Sequence, residues 1–216
     1  MIDILFPKLH KEGYRFLAIS AVVTFILLLL SKFFGTISLI ITIWVYYFFR
    51  DPERFPLHDD NYLLSPADGV ISQITEVIGP QELGLENKKY TRVSIFMNVF
   101  DCHVNRVPFS GKITKIFYKP GEYFNASLDK ASDKNERNYV KMINKNRDEL
   151  ILVQIAGLIA RRIVCDIKEN DEFAQGDRFG MIRFGSRIDI YFENYQLMVN
   201  TNQKTIAGET IIAKRK

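Results

Sequence analysis

Hydrophobic and polar positions divide the chain into two unlike parts. Residues 16–31 (FLAISAVVTFILLLLS) carry no charge, Lys32 interrupts, and residues 33–49 (FFGTISLIITIWVYYFF) again carry none. Each run is at the lower edge of the roughly 20 residues that cross a bilayer as a helix. Two short helices turning near Ser31–Gly35 fit this pattern, as does one long tilted helix. The hairpin is favoured, because a single helix over both runs would overshoot the roughly 30 Å hydrocarbon core and leave Lys32 near its middle. Lys8, Lys11 and Arg15 precede the apolar runs and Arg50 and Arg54 follow them, so both flanks belong on the cytoplasmic side. Trp44, Tyr46 and Tyr47 suit an aromatic belt at the second exit. A cleaved signal peptide fits poorly, since the apolar stretch is too long and no small-residue cleavage site follows.

From Asp51 onward the pattern changes to short alternating segments separated by Gly, Pro, Asn and Asp. It predicts strands near 69–77, 91–100, 111–118, 139–145, 150–155, 159–168, 179–184 and 187–192. Many short strands with turn signals between them predict a mainly β domain, barrel- or sandwich-like, rather than a βαβ sheet. The expected organisation is therefore a membrane anchor over 1–50, a transmembrane helical hairpin, followed by a β-rich domain over 51–216. Residues 119–138 (KPGEYFNASLDKASDKNERN) are polar and aperiodic and read as a long loop, a length more often functional than structural.

One late segment stands out. Residues 176–191 (GDRFGMIRFGSRIDIY) set a Gly-Ser pair, Gly185-Ser186, between two strand-like runs. After it Ile188 and Ile190 share one face while Arg187, Asp189 and Tyr191 share the other. A glycine inside a strand marks a bulge, bend or close approach, so Ser186 is held at a permissive joint. Its hydroxyl could attack the carbonyl just before it.

Composition narrows the class. The chain has 216 residues, 47% of them hydrophobic, and a mean hydropathy of −0.04, too apolar for disorder and too polar for a multi-spanning transporter. The formal net charge is +4, with basic and acidic residues interleaved, so no stripe for nucleic acid is present. A weak attraction to anionic lipid headgroups is the more economical use of the excess. Cys102 and Cys165 are the two cysteines, far apart, and suit reduced thiols.

Three segments carry candidate chemistry. In SPADGVIS (65–72) Asp68 precedes a strand; Asp-Gly alone is a turn signal, but the carboxylate could orient a histidine or hold a proton. In FDCHVNRVP (100–108) His103 is the histidine best placed to act as a base near neutral pH, since His10 lies in the N-terminal tail and His58 in the linker. Cys102 and His103 are neighbours on a strand and point to opposite faces, so they do not make a nucleophile–base pair. Spaced His/Cys pairs are absent, so no metal is expected. In LDKAS (128–132) Lys130 echoes the lysine of lipoyl-carrying domains, a three-residue signal.

Taken together, SPADGVIS (65–72), FDCHVNRVPFSGKI (100–113), GEYFNASLDKASDKNERN (121–138), VQIAGLIARRIV (153–164) and GDRFGMIRFGSRIDIYF (176–192) resemble the pyruvoyl-dependent phosphatidylserine decarboxylases, in their short bacterial form. The five segments occur in order and cover most of the soluble part. The resemblance implies self-processing: Ser186 attacks the Gly185 carbonyl, and the resulting ester eliminates to dehydroalanine, which hydrolyses to a pyruvoyl group. The products would be a β-chain, 1–185, and an α-chain, 186–216, held together as a heterodimer. The covalent pyruvoyl then serves as electron sink for decarboxylating phosphatidylserine to phosphatidylethanolamine, with no pyridoxal phosphate and no metal. The hairpin would place the domain at the cytoplasmic face of the bacterial inner membrane, where the lipid is met.

By the same resemblance Ser186 is the pyruvoyl precursor, Gly185 the cleaved residue, His103 the acid/base group and Asp68 the acidic residue of self-cleavage. Arg106, Arg183 and Arg187 are candidates for the lipid phosphate or carboxylate, with a solvated strand role as the alternative for each. Longer family members carry a second histidine three positions after the first, where this chain has Arg106. The base that activates Ser186 is accordingly open between His103 and Asp68 with another partner. Two other readings stay in view: a membrane-tethered lipoyl-like carrier or adaptor, and a pyruvoyl decarboxylase of a soluble amino acid. A homo-oligomer is left open.

Overall fold

The computed structural model describes residues 6–122, 134–157, 162–183 and 186–216. The chain forms two compact units, Met1–Glu53 and Arg54–Lys216.

The first unit is a helical hairpin. Helices α1 (Gly13–Leu30) and α2 (Lys32–Phe48) are separated by one extended residue, Ser31. Its N–H still donates to the Leu27 carbonyl at 2.8 Å and its carbonyl accepts from Gly35 at 2.9 Å, so the reversal leaves these backbone groups satisfied. Gly35 is required there, because a Cβ would run into the Leu28 side chain and backbone. Between the helices the Thr24 hydroxyl meets Ser38 Oγ at 2.7 Å and Thr42 Oγ1 at 2.9 Å. Polar contacts of this kind hold helices together where lipid offers no hydrophobic drive. The ends are tied by Lys8 to Glu53 at 2.7 Å and by stacked Phe16 and Phe49. Helix α1 is long and apolar enough to cross a membrane; α2 is an apolar helix of 17 residues.

The second unit is built of strands: β1 (Tyr62–Leu64), β2 (Gly69–Ile78), β3 (Lys89–Met97), β4 (Val104–Arg106), β5 (Gly111–Lys119), β6 (Arg137–Ile143), β7 (Glu149–Ala156), β8 (Ile163–Cys165), β9 (Glu172–Phe173), β10 (Arg178–Ile182), β11 (Ser186–Phe192), β12 (Tyr195–Leu197), β13 (Lys204–Thr205) and β14 (Ile211–Arg215). Eight of them form one antiparallel sheet in the order β13-β2-β3-β11-β7-β6-β5-β9. Two three-stranded sheets, β1-β14-β12 and β4-β10-β8, complete the unit. The large sheet ends in the two-residue strands β13 and β9, which blunts both edges.

The main core joins Ile95, Leu152, Ile188 and Ile190 of the large sheet to Phe179 and Ile182 of β10, so the β4-β10-β8 sheet packs on one face. The opposite face is not left to solvent. Leu83, Tyr90, Tyr139, Ile151, Val153, Ile155 and Tyr191 form a second cluster there. Strand β11 is therefore buried along its whole length. The mainly β architecture and the N-terminal hairpin are as the sequence pattern predicts.

Candidate active site

Strands β10 and β11 are consecutive in the chain but lie in different sheets. Three residues, 183–185, join them, and Ser186 is the first residue of β11. Gly185 lies outside the described residues, as does Lys130. Ser186 is locked from both sides, opposite Met97 on β3 and Ala156 on β7. It is fully buried, and its hydroxyl lies 3.9 Å from Met97 Sδ. A thioether is a weak acceptor, so this contact does not draw off the hydroxyl proton.

The partner strands approach the same joint by a second route. After Met97 the chain turns through Asn98–Asp101, where Asn98 N–H donates to Asp101 Oδ2 at 2.8 Å and Phe100 N–H donates to Asn98 Oδ1 at 2.8 Å. This Asx-stabilised turn leads to His103, whose carbonyl accepts from Ile182 N–H at 3.4 Å. β4 then pairs with β10, Val104 opposite Met181 and Asn105 opposite Gly180. One connected stretch, 97–105, thus borders both the strand before the Gly-Ser joint and the strand after it.

His103 is fully buried, with Nδ1 3.0 Å from the Asp101 carbonyl oxygen. A carbonyl only accepts, so Nδ1 carries the proton of this bond. The neutral ring then has Nε2 as its basic nitrogen, the arrangement a general base requires. Asp68 lies before β2. Its Oδ2 accepts from Arg54 Nη2 at 2.7 Å and its Oδ1 from Ala207 N–H at 2.8 Å. Two residues earlier, the Pro66 carbonyl accepts from Arg106 N–H at 2.9 Å, which brings the Asp68 segment beside the His103 strand. Asp68 also shares a sheet end with Ser186, because Val70 pairs with Phe96, next to Met97.

The three candidate arginines have unlike surroundings. Arg187 forms a two-pronged pair with Asp189, at 2.6 and 2.8 Å, with both side chains 3% exposed or less. Arg106 is buried and donates from Nη1 to the Gly176 carbonyl at 2.8 Å. Arg183 is partly exposed, and its N–H donates to the Arg162 carbonyl at 3.2 Å, which sets Arg162, an exposed residue, beside it.

Burial raises the pKa of Cys165, so its thiol stays protonated near neutral pH. Cys102 is buried. Among the described residues no three His, Cys, Asp or Glu side chains are grouped to hold a metal ion.

Sequence reasoning did not single out the buried amides that lie against Met97, the residue opposite Ser186. Asn105 Nδ2 lies 3.7 Å from the same Met97 sulfur, and Gln154 Nε2 donates to Asn105 Oδ1 at 2.9 Å. A signal was present: Asn105 sits two residues after His103 in the segment that carries the candidate base, and Gln154 is the one polar residue in the run LILVQIA.

A model of the phosphatidylserine decarboxylase family matches residues 41–213, which include every candidate residue above. The chain belongs to the phosphatidylserine decarboxylase family. Relatives named phosphatidylserine decarboxylase proenzyme include one from Pelagibacter ubique (strain HTCC1062), 62% identical over 215 residues with 100% of both chains covered. Those from Rickettsia akari (strain Hartford) and Rickettsia prowazekii (strain Madrid E) are each 51% identical over 210 residues, covering 97% of this chain and 91% of theirs. Membership in a decarboxylase family removes the carrier and adaptor alternative. The match begins at residue 41, inside α2, and ends at 213, so it covers the second unit up to its last three residues and only the end of the hairpin.

Proposed function

We propose that this protein decarboxylates phosphatidylserine to phosphatidylethanolamine and CO₂ after cutting its own chain between Gly185 and Ser186. The observation that carries this reading is the setting of Ser186. It is a fully buried serine that opens a central strand, with its hydroxyl against a thioether. That environment suits a residue consumed in making a carbonyl group better than a side-chain nucleophile paired with a base.

Self-cleavage needs only groups of the chain. The Ser186 oxygen bonds to the carbonyl carbon of residue 185, that carbon releases the Ser186 nitrogen, and the hydroxyl proton ends on the nitrogen. Loss of the α-proton and of the ester oxygen then frees chain 1–185, and water replaces ammonia on residue 186. The fit of Ser186 to this product is favourable: strand pairing to Met97 and Ala156 holds the new terminus without any further ligand. A pyruvoyl group at this position supplies the electron sink that decarboxylation of an amino acid requires.

The chain's other residues divide the remaining tasks. His103, once Nε2 has taken up a proton, delivers it to the substrate α-carbon after CO₂ has left. Asp68, held by Arg54 and Ala207, is the acidic group of maturation. Arg183, with Arg162 beside it, is the part of the surface suited to the headgroup phosphate. The hairpin, with basic residues at both flanks, supports insertion in the cytoplasmic membrane with the β domain facing the cytoplasm.

Intact-mass measurement of the purified, denatured protein tests the reading. Two chains split after residue 185, the smaller lacking a free amine, are expected, and Ser186→Ala should remain whole and inactive. An intact, active wild-type chain would overturn it. Comparing CO₂ release from phosphatidylserine and from free serine separates the lipid reading from that of a soluble amino acid; equal rates would sink the lipid assignment.

A further inference from the structure

The turn between β3 and β4 fixes its own shape and, through it, an imidazole. Asn98 and Asp101 close on each other twice. Asn98 N–H donates to Asp101 Oδ2 at 2.8 Å, and Asp101 N–H donates to the Asn98 carbonyl at 3.0 Å. Between them Phe100 N–H donates to Asn98 Oδ1 at 2.8 Å. The Asp101 carbonyl then accepts from His103 Nδ1 at 3.0 Å. Asn98 is exposed and Asp101 half-buried, whereas His103 is fully buried. A surface turn thus reaches a ring inside the domain.

Ending a strand asks only that the turn's N–H groups be satisfied, which Asn and Asp side chains do. It does not ask that the next carbonyl meet a buried titratable ring. The kind of acceptor matters here. A carbonyl accepts and never donates, so Nδ1 keeps its proton in the neutral and in the charged ring, and Nε2 alone gains and loses one. The turn also sets where the ring lies. It starts directly after Met97, opposite Ser186, and the strand after His103 pairs with β10, Val104 opposite Met181. A change in the turn's shape would move His103 relative to the first residue of β11 and release its ring.

We propose that Asn98 and Asp101 are positioning residues for His103: their paired turn aims the Asp101 carbonyl, which holds the imidazole as the Nδ1–H tautomer and leaves Nε2 to carry the proton of decarboxylation. The proposal rests on the role given to His103 above. In the step concerned the Nε2–H bond of the charged ring breaks and its proton goes to the substrate α-carbon. The electron pair left behind by CO₂ forms the new C–H bond, and Nε2 keeps the pair of the broken N–H bond. Nδ1–H is unchanged throughout, so the ring enters and leaves the step in one orientation. Neither the Asn98 nor the Asp101 side chain takes part in the transfer.

Two measurements on the full chain in detergent test this. The first reads the tautomer without turnover, from the ring nitrogen-15 shifts of the uncleaved Ser186→Ala form with the ring neutral; the His103 signals are those lost in His103→Gln. The starting form should show the Nδ1–H tautomer alone, and Asn98→Ala and Asp101→Ala should each show a mixture of both. The second is turnover on phosphatidylserine, per processed chain as counted by intact mass. In the alanine variants kcat should fall about 10²-fold, the loss that about 1 Å of misplacement brings, while KM stays within a few-fold. Asn98→Ser and Asp101→Asn keep an oxygen for the Phe100 and Asn98 N–H groups, and should recover the single tautomer and most of kcat. An Asp101→Asn as impaired as Asp101→Ala would assign the effect to the charge and overturn the proposal. So would a single Nδ1–H tautomer in folded alanine variants, or an Nε2–H tautomer in the starting form. These results leave the decarboxylase reading standing; a processed wild-type chain that releases no CO₂ from phosphatidylserine would end both.

Discussion

Ser186 stands directly opposite Met97 across the β3–β11 ladder, with its hydroxyl 3.9 Å from the thioether sulfur. A sulfur of this kind fills space without taking a proton, so Met97 should matter for packing and hardly at all for proton transfer. Met97→Leu, a swap of nearly equal volume, should cost less than about 1.5 kcal/mol and leave the processing rate within a few-fold of wild type. Met97→Ala opens a cavity in the core and should cost about 2–5 kcal/mol. Melting of the uncleaved Ser186→Ala form, with processing time courses on the unmodified background, checks both. A collapse of processing in a stably folded Met97→Leu would show that the sulfur itself takes part.

Asp68 combines two tasks that a pair of substitutions can separate. Its carboxylate accepts from Arg54 and from the Ala207 backbone, at 2.7 and 2.8 Å. Asp68→Asn keeps an oxygen for the Ala207 N–H and loses the charge facing Arg54; Asp68→Ala loses both. Charge-assisted hydrogen bonds of this burial contribute about 2 kcal/mol, so the alanine variant should be the less stable of the two. If the carboxylate acts in maturation, both should fail to process, although Asp68→Asn stays folded at assay temperature. Processing by Asp68→Asn at the wild-type rate would confine Asp68 to a structural part.

Several features were legible in the sequence because they depend on local periodicity. The two uncharged runs predict the hairpin, and its reversal falls at Ser31, inside the predicted turn. The strand predicted over 111–118 is found as Gly111–Lys119, and that over 187–192 as Ser186–Phe192. Others were harder. The strand predicted over 91–100 ends at Met97, because the Asn98 and Asp101 side chains satisfy backbone N–H groups and turn the chain. Of the strand predicted over 159–168, residues 162–168 are described, and only Ile163–Cys165 form a strand, so it ends three residues earlier than predicted.

The candidate site was legible as residue types and not as an assembly. That β10 and β11 enter different sheets on either side of the joint is a choice of long-range partners, which periodicity does not encode. Strand β11 shows the same gap. Alternation marks Arg187, Asp189 and Tyr191 as one face, which resembles a solvent face. That face is buried: the two charges neutralise each other, and Tyr191 packs with Tyr90 and Val153 under the second cluster. Burial of the Tyr191 hydroxyl is the chief reason its pKa is pushed up to about 12.

The Arg187–Asp189 pair should behave as a folding element. Removing one partner strands a buried charge, so Arg187→Met alone should cost about 3–5 kcal/mol. Replacing both, as Arg187→Met with Asp189→Leu, should recover most of that loss, since an apolar pair of similar volume avoids desolvating two ions. Denaturant unfolding of the Ser186→Ala form measures the cycle. A fully stable Arg187→Met that loses only affinity for phosphatidylserine would instead return Arg187 to the substrate site.

Acid should weaken the second unit through Glu149, far along β7 from Ser186. Partial burial pushes its pKa up, but hydrogen bonds from Lys141 at 2.6 Å and Lys88 at 3.0 Å outweigh burial, and the net shift is downward. A carboxylate whose pKa is lower folded than unfolded adds stability that is present above the unfolded value and is lost as pH falls through the folded one. Glu149→Gln should therefore reduce stability by about 1 kcal/mol at pH 7, the upper end for partly exposed pairs. The difference from wild type should shrink once the pH passes below about 4, the usual glutamate range, where both side chains are uncharged. Denaturant midpoints of the two uncleaved Ser186→Ala forms across pH 3–7 provide the check. A gap that stays constant over that range would assign the cost to packing and not to the ion pairs with Lys88 and Lys141.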